Sequence, residues 1–129
     1  MKLIFKPGDK KVYRKKVTEH DVAAFHEEVL HPVYSTFALA RDFEWSSRLF
    51  FLEMKEQQEE GVGTFLSITH QSPATVGAEI EITATVESMK GNELICTIEA
   101  FCGERIIATG RTGQKMLTKE RLKELFEIK

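Results

Sequence analysis

His70 closes the run Gly63-Thr64-Phe65-Leu66-Ser67-Ile68-Thr69-His70, and the two-residue alternation of a strand sets it on the same side as Leu66 and Ile68. A titratable ring is therefore expected on a core-facing surface. Upstream, Phe37, Ala40, Glu44, Ser47 and Phe51 follow the three- and four-residue steps of one helical stripe, with Glu44 as its carboxylate. Burying an unpaired carboxylate costs several kcal/mol or raises its pKa, so Glu44 is expected to have a partner or a task. One acid and one base inside a small core point to an active site working by proton transfer.

Several elements must hold these groups. A short strand is expected at residues 3–5, ended by the Pro7-Gly8 turn, and a second extended segment at 11–17. Thr18-Glu19-His20-Asp21 has the form of an N-cap with an acidic residue three later, and Val22, Phe25 and Val29 share a helical face. That pattern predicts a helix stopped by Pro32. Ser35 or Thr36 would cap the longest helix, predicted over 37–56, whose broad apolar face includes Phe37, Ala40, Phe43, Ser47, Phe50, Phe51 and Met54. Four strands are expected next, at 63–71, 79–89, 93–102 and 105–117. In the second, Ile80, Ile82, Ala84 and Val86 alternate with polar residues, so one face is wet. Turn signals at Lys90-Gly91-Asn92 and Gly103-Glu104 make the last three an antiparallel meander, and a closing helix follows Thr118 with Leu122, Leu125 and Phe126 on one side.

The chain bounds what these elements could serve. Its 129 residues make one domain, 1–129, with no repeat, low-complexity stretch or linker. A net charge of −2 leaves no electrostatic footprint for nucleic acid. No apolar run approaches the ~18 residues of a membrane span, and the N-terminus is too short in apolar residues for a signal peptide, so a cytoplasmic location is expected. Cys96 and Cys102 lie about 20 Å apart on one extended strand, too far to bridge, and are expected to be small buried hydrophobes.

A long helix followed by a curved antiparallel sheet that wraps it resembles the hot-dog fold, an α+β architecture, and the resemblance extends to motifs. Val33-Tyr34-Ser35-Thr36 leading to Glu44-Trp45, then Gly63-Thr64 running to Thr69-His70, then Pro73-Ala74-Thr75-Val76-Gly77, resemble the thioesterase branch typified by fluoroacetyl-CoA thioesterase, over roughly residues 33–117. The resemblance implies that Thr36, Glu44 and His70 are a catalytic trio, and that Gly63 presents its backbone beside the thioester. It also implies an acyl-CoA substrate of short or medium chain, no cofactor beyond the CoA of that substrate, and a homodimer with the active site between subunits. Two positions depart from the branch. Gln114 stands where the fluoroacetyl enzyme has an arginine, with Lys115 beside it pointing the other way, so fluoroacetyl selectivity is not implied. Phe37 replaces the glycine after the threonine and is expected to reshape the pocket floor.

Thioester hydrolysis needs a nucleophile, a base and donors for an oxyanion. His70 would be the base; Glu44 would either orient the imidazole or activate water; Thr36 would be the nucleophile or hold that water. The Gly63 N–H and the positive end of the long helix would serve the oxyanion. Taken singly, each has a plainer role: Thr36 a helix cap, Glu44 an interface ion pair, His70 a hydrogen-bonded core residue, Gly63 a bulge or strand start. His26 and His31 are five apart, where a zinc-binding helical face needs four, so no metal site is expected. The segment 26–34 is expected to cover the pocket. Two other functions fit the same frame, a hot-dog enoyl-CoA hydratase or dehydratase and a non-catalytic acyl-CoA-binding module; the first usually has an Asp and a His close together at the start of the long helix, absent here.

Overall fold

The computed structural model describes residues 1–128. In chain order its strands are β1 (Lys10–Lys16), β2 (Val22–Phe25), β3 (Glu28–Tyr34), β4 (Glu59–His70), β5 (Glu79–Lys90), β6 (Glu93–Cys102) and β7 (Arg105–Thr118). Helix α1 (Thr36–Met54) lies between β3 and β4, and α2 (Lys119–Phe126) follows β7. Five strands form one antiparallel sheet in the order β1-β5-β6-β7-β4, and β2 and β3 form a separate two-stranded ribbon.

Helix α1 packs against all five strands of the large sheet. The alternation in β5 supplies one side of that contact: Ile80, Ile82, Ala84 and Val86 are buried. The helix supplies the other with Leu39, Phe43, Phe50, Phe51 and Met54, each at most 1% exposed. Burying each such side chain is worth about 1.5–3 kcal/mol, so this seam dominates the stability of the fold. Cys96 lies in it, and burial pushes its thiol up to about 12; Cys102, beyond a bulge at Ala100/Phe101, is only half-buried, not the buried hydrophobe expected.

Two expected elements differ. The helix expected after Thr18 is a single 3-10 turn, Glu19–Asp21, followed by the β2–β3 ribbon, whose bend is made by His26 and Glu27 at φ of 50° and 68°. The capping signal was real, since Thr18 and Asp21 form a reciprocal capping box. The turn it starts does not propagate, because Val22, Val29 and Val33 suit strands, and Pro32 sits within β3, where a two-stranded ribbon tolerates a missing donor. Residues 3–5 form no strand; Phe5 instead stacks edge-on against Phe50 at 4.9 Å.

A buried ionic cluster anchors the start of α1. Lys15 Nζ donates to Asp21 Oδ1 and Asp42 Oδ2, both at 2.9 Å; Arg41 reaches both carboxylates; and the Tyr34 hydroxyl donates to Asp42 Oδ2. Burial alone would push the Asp21 carboxyl up, but donors from Arg41, the Thr18 backbone and Lys15 outweigh it and hold the group well below the usual carboxylate range. Burial and the Asp42 carboxylate together push the Tyr34 hydroxyl up. The cluster joins β1, the 3-10 turn, β3 and α1 at the place where the chain enters Thr36.

Candidate active site

At the head of α1 the capping role falls to Ser35, whose Oγ accepts from the Ala38 N–H at 3.1 Å. Thr36 is the first helical residue and is exposed. Its hydroxyl is therefore not committed to the helix; Oγ1 lies 3.0 Å from His70 Nδ1. The other ring nitrogen, His70 Nε2, is buried with no partner among the described residues.

His70 faces the helix because of a bulge. Strand β4 pairs only with β7, and its register slips between Gly63 and Phe65. On the Gly61–Gly63 side of the slip the helix-facing residues are odd-numbered, since a Cβ on Gly61 would strike the Phe51 ring and one on Gly63 would strike Glu44 Oε1. Beyond it the even-numbered residues face inward, Leu66, Ile68 and His70 pairing with Thr112, Gly110 and Ala108. Gly63 and His70 are seven apart, and plain alternation would put them on opposite faces; the extra residue puts both on the helix side.

Glu44 is exposed, and so is Phe37 (55%), although Ser47 and Phe51 on the same stripe are buried. The stripe faces the edge strand β4 rather than the middle of the sheet. Phe51 packs on Gly61 and the Glu44 carboxylate lies over Gly63, each filling the space that a side chain on the glycine would take. An open groove of about 310 Å³ runs there, lined by Glu44, Gly63, Thr64, Phe65 and Leu66. A larger hollow of about 470 Å³ lies across the sheet near Arg14, Glu79 and Phe101 and contains none of these groups. Thus Thr36 and His70 are brought together directly, while Glu44 meets Gly63 eight residues along α1, about 12 Å of helical rise away. No hydrogen bond joins the Glu44 carboxylate to Thr36 or His70 among the described residues.

A family model for the fluoroacetyl-CoA-specific thioesterases (FlK) matches residues 17–120. The chain belongs to this family. Solved structures agree on the fold. A Thermus thermophilus member of the thioesterase superfamily is 30% identical, with a TM-score of 0.89 over 94% of this chain and 90% of that one. Fluoroacetyl-CoA thioesterase FlK is 20% identical, with a TM-score of 0.87 over 95% of each chain, and a hot-dog-like protein from Thermanaerovibrio acidaminovorans is 20% identical, with the same score over 95% and 90%. No curated protein sequence matches the chain significantly.

In this FlK-family thioesterase the two departures from the branch take different places. Phe37 is exposed at the start of α1 and stands against Phe25 of the β2–β3 ribbon, ring centroids 5.9 Å apart. Gln114 is 1% exposed, and its Nε2 donates to the Glu44 carbonyl at 3.2 Å and to Ser47 Oγ at 2.7 Å, while neighbouring Lys115 is exposed. Ser47 and the register slip at Thr64 were not expected as contributors; a buried serine on an apolar stripe was the one available signal. His20, His26 and His31 are exposed, and no group of three metal-binding side chains occurs among the described residues. Among the described residues no helix is long and apolar enough to cross a membrane.

Proposed function

We propose that this thioesterase hydrolyses a short- or medium-chain acyl-CoA with Thr36 as nucleophile and His70 as its base. The observation that carries this is the 3.0 Å contact between Thr36 Oγ1 and His70 Nδ1, made by a hydroxyl that Ser35 has relieved of capping. The Thr36 hydroxyl donates to Nδ1, which leaves the ring proton on Nε2. As Oγ1 attacks the thioester carbon, its proton passes to Nδ1, and the oxyanion forms next to the positive end of α1. The C–S bond then breaks, the CoA thiolate takes the proton from His70, and the acyl group rests on Thr36. Water, deprotonated by the same ring, cleaves that ester and returns the proton to Thr36.

The Glu44–Gly63 station enters through a second copy of the chain. Strand β4 is a twelve-residue edge, with Phe65 and Leu66 exposed on it at 40% and 36%. Natural proteins seldom leave such an edge unpaired. Antiparallel pairing of two β4 strands about a twofold axis sets the Gly63 end of one against the His70 end of the other, so that the Thr36–His70 pair of one chain meets the Glu44 carboxylate of the next. Glu44 would there hold the attacking water.

The support is family membership, the fold shared with FlK, and structures of FlK variants bound to fluoroacetate with CoA and to acetyl-CoA. Thiol release measured on acyl-CoAs from acetyl to palmitoyl is expected to peak at one short or medium chain length. An absorbance change with enoyl-CoA and no thiol release would transfer the site to hydration. Tight acyl-CoA binding with no turnover would make the protein a binding module.

A further inference from the structure

The buried amide of Gln114 has no evident reason to be polar if its place in the core is only to fill space. It is surrounded by apolar packing, with Leu94 beside it on β6 and Met116 two residues along β7, and burying an amide is unfavourable unless it is paired. It is paired, and all its bonds converge on one turn of α1. Gln114 Nε2 donates to the Glu44 carbonyl and to Ser47 Oγ, and the Ser47 hydroxyl donates to the same carbonyl at 3.0 Å. The Glu44 backbone is thus held by two donors besides the helix ladder.

The strand side of the arrangement fixes the other half. Gln114 is the register partner of Gly63 across the β4–β7 ladder, and Gly63 is the residue whose missing side chain makes room for the Glu44 carboxylate. One β7 residue therefore grips the backbone of Glu44 with its side chain and sits opposite Gly63 in the ladder. Rotating α1 or sliding it along its axis would move the carboxylate off Gly63 and break the Gln114 bonds at the same time.

We infer that Gln114 and Ser47 are positioning residues that hold the Glu44 carboxylate on the Gly63 backbone and act on hydrolysis through Glu44. This rests on the thioesterase reading of Glu44, and it gives Gln114 a task facing the helix rather than the substrate. Gln114→Met keeps the length of the side chain and removes the donor. It is expected to lower kcat about tenfold with KM changed less than about twofold, because a displaced group costs rate more than binding. In a Glu44→Ala background the same substitution is expected to cost less than about twofold, since residues acting through one group are not additive.

A second readout does not need turnover. In ¹⁵N-labelled protein the Gly63 amide resonance should titrate with the carboxylate above it, a response abolished in Glu44→Gln. In Gln114→Met the amplitude of that titration should fall by at least about half, as the carboxylate leaves its seat. An unchanged Gly63 titration, or a tenfold rate loss that persists in the Glu44→Ala background, would overturn the inference. Should Gln114→Met not fold, Ser47→Ala carries the same two tests with a loss of about threefold. A parent enzyme that releases no thiol refutes the thioesterase reading, and the Gly63 titration then still decides the clamp.

Discussion

The feature that separates Thr36 from an ordinary helix start is one hydrogen bond made by its neighbour. Ser35 caps α1, and the next hydroxyl is left for His70. At the same scale, Gly63 makes a sharp prediction. A Cβ there meets the free end of the Glu44 side chain, which can swing aside at little energetic cost. Gly63→Ala is thus expected to leave the melting temperature within a few degrees of the parent while reducing kcat by about tenfold or more, checked by calorimetry and steady-state kinetics on one preparation. A large drop in melting temperature would mean that the glycine serves packing instead. His70 and Glu44 were legible in the sequence as titratable groups on strand and helix periodicities, and Thr36 only through the resemblance to the thioesterase branch. The exposure of Glu44 was not, because a stripe's burial depends on what opposes it, and this stripe faces an edge strand.

Among the elements, α1 and the four long strands followed from period and turn chemistry, with ends displaced by at most a few residues. The segment between Thr18 and Tyr34 did not, since its apolar spacing suits a helix and a ribbon alike, and the ionic cluster of Lys15, Asp21, Asp42 and Tyr34, closed on its outer side by exposed Arg41, draws together residues from four separated stretches. Nor did the slip at Thr64, which only pairing with β7 reveals. The cluster predicts a pH effect. Asp21 has a folded pKa below its ordinary 3.8. It therefore adds stability above that value and gives it up as pH falls through the folded pKa, so the linked loss sets in below about pH 4. Asp21→Asn should lower the unfolding free energy at neutral pH by about 3 kcal/mol, from a broken buried pair, and flatten the acid limb of a urea-denaturation series. An acid limb identical to the parent's would show that the carboxylate is not the group being titrated.

For the whole molecule, the single chain holds a hydroxyl–imidazole pair at the His70 end of β4 and a carboxylate at its Gly63 end. The proposed twofold pairing of β4 strands makes a prediction that no single-chain site shares. Glu44→Ala and His70→Ala are each expected to lose at least about a hundredfold alone while keeping a measurable residual rate. Mixed and allowed to exchange subunits, they should recover about a quarter of parent activity, since half of the dimers are mixed and one of their two sites is intact. No recovery, with exchange confirmed by mass, would place the trio within one chain. The shared fold and the family assignment, by contrast, follow from features present in every copy, the long helix and the antiparallel sheet packed on it.

The most direct test of the Thr36–His70 pair is thiol release from the best acyl-CoA by Thr36→Ala, Thr36→Ser and His70→Ala variants whose folding matches the parent. Loss of at least about a hundredfold is predicted for Thr36→Ala and His70→Ala, with Thr36→Ser retaining a substantial part of the rate, because the serine keeps the hydroxyl that His70 deprotonates. Thr36→Ala turning over at the parent rate would contradict the account, leaving the 3.0 Å contact as a structural hydrogen bond.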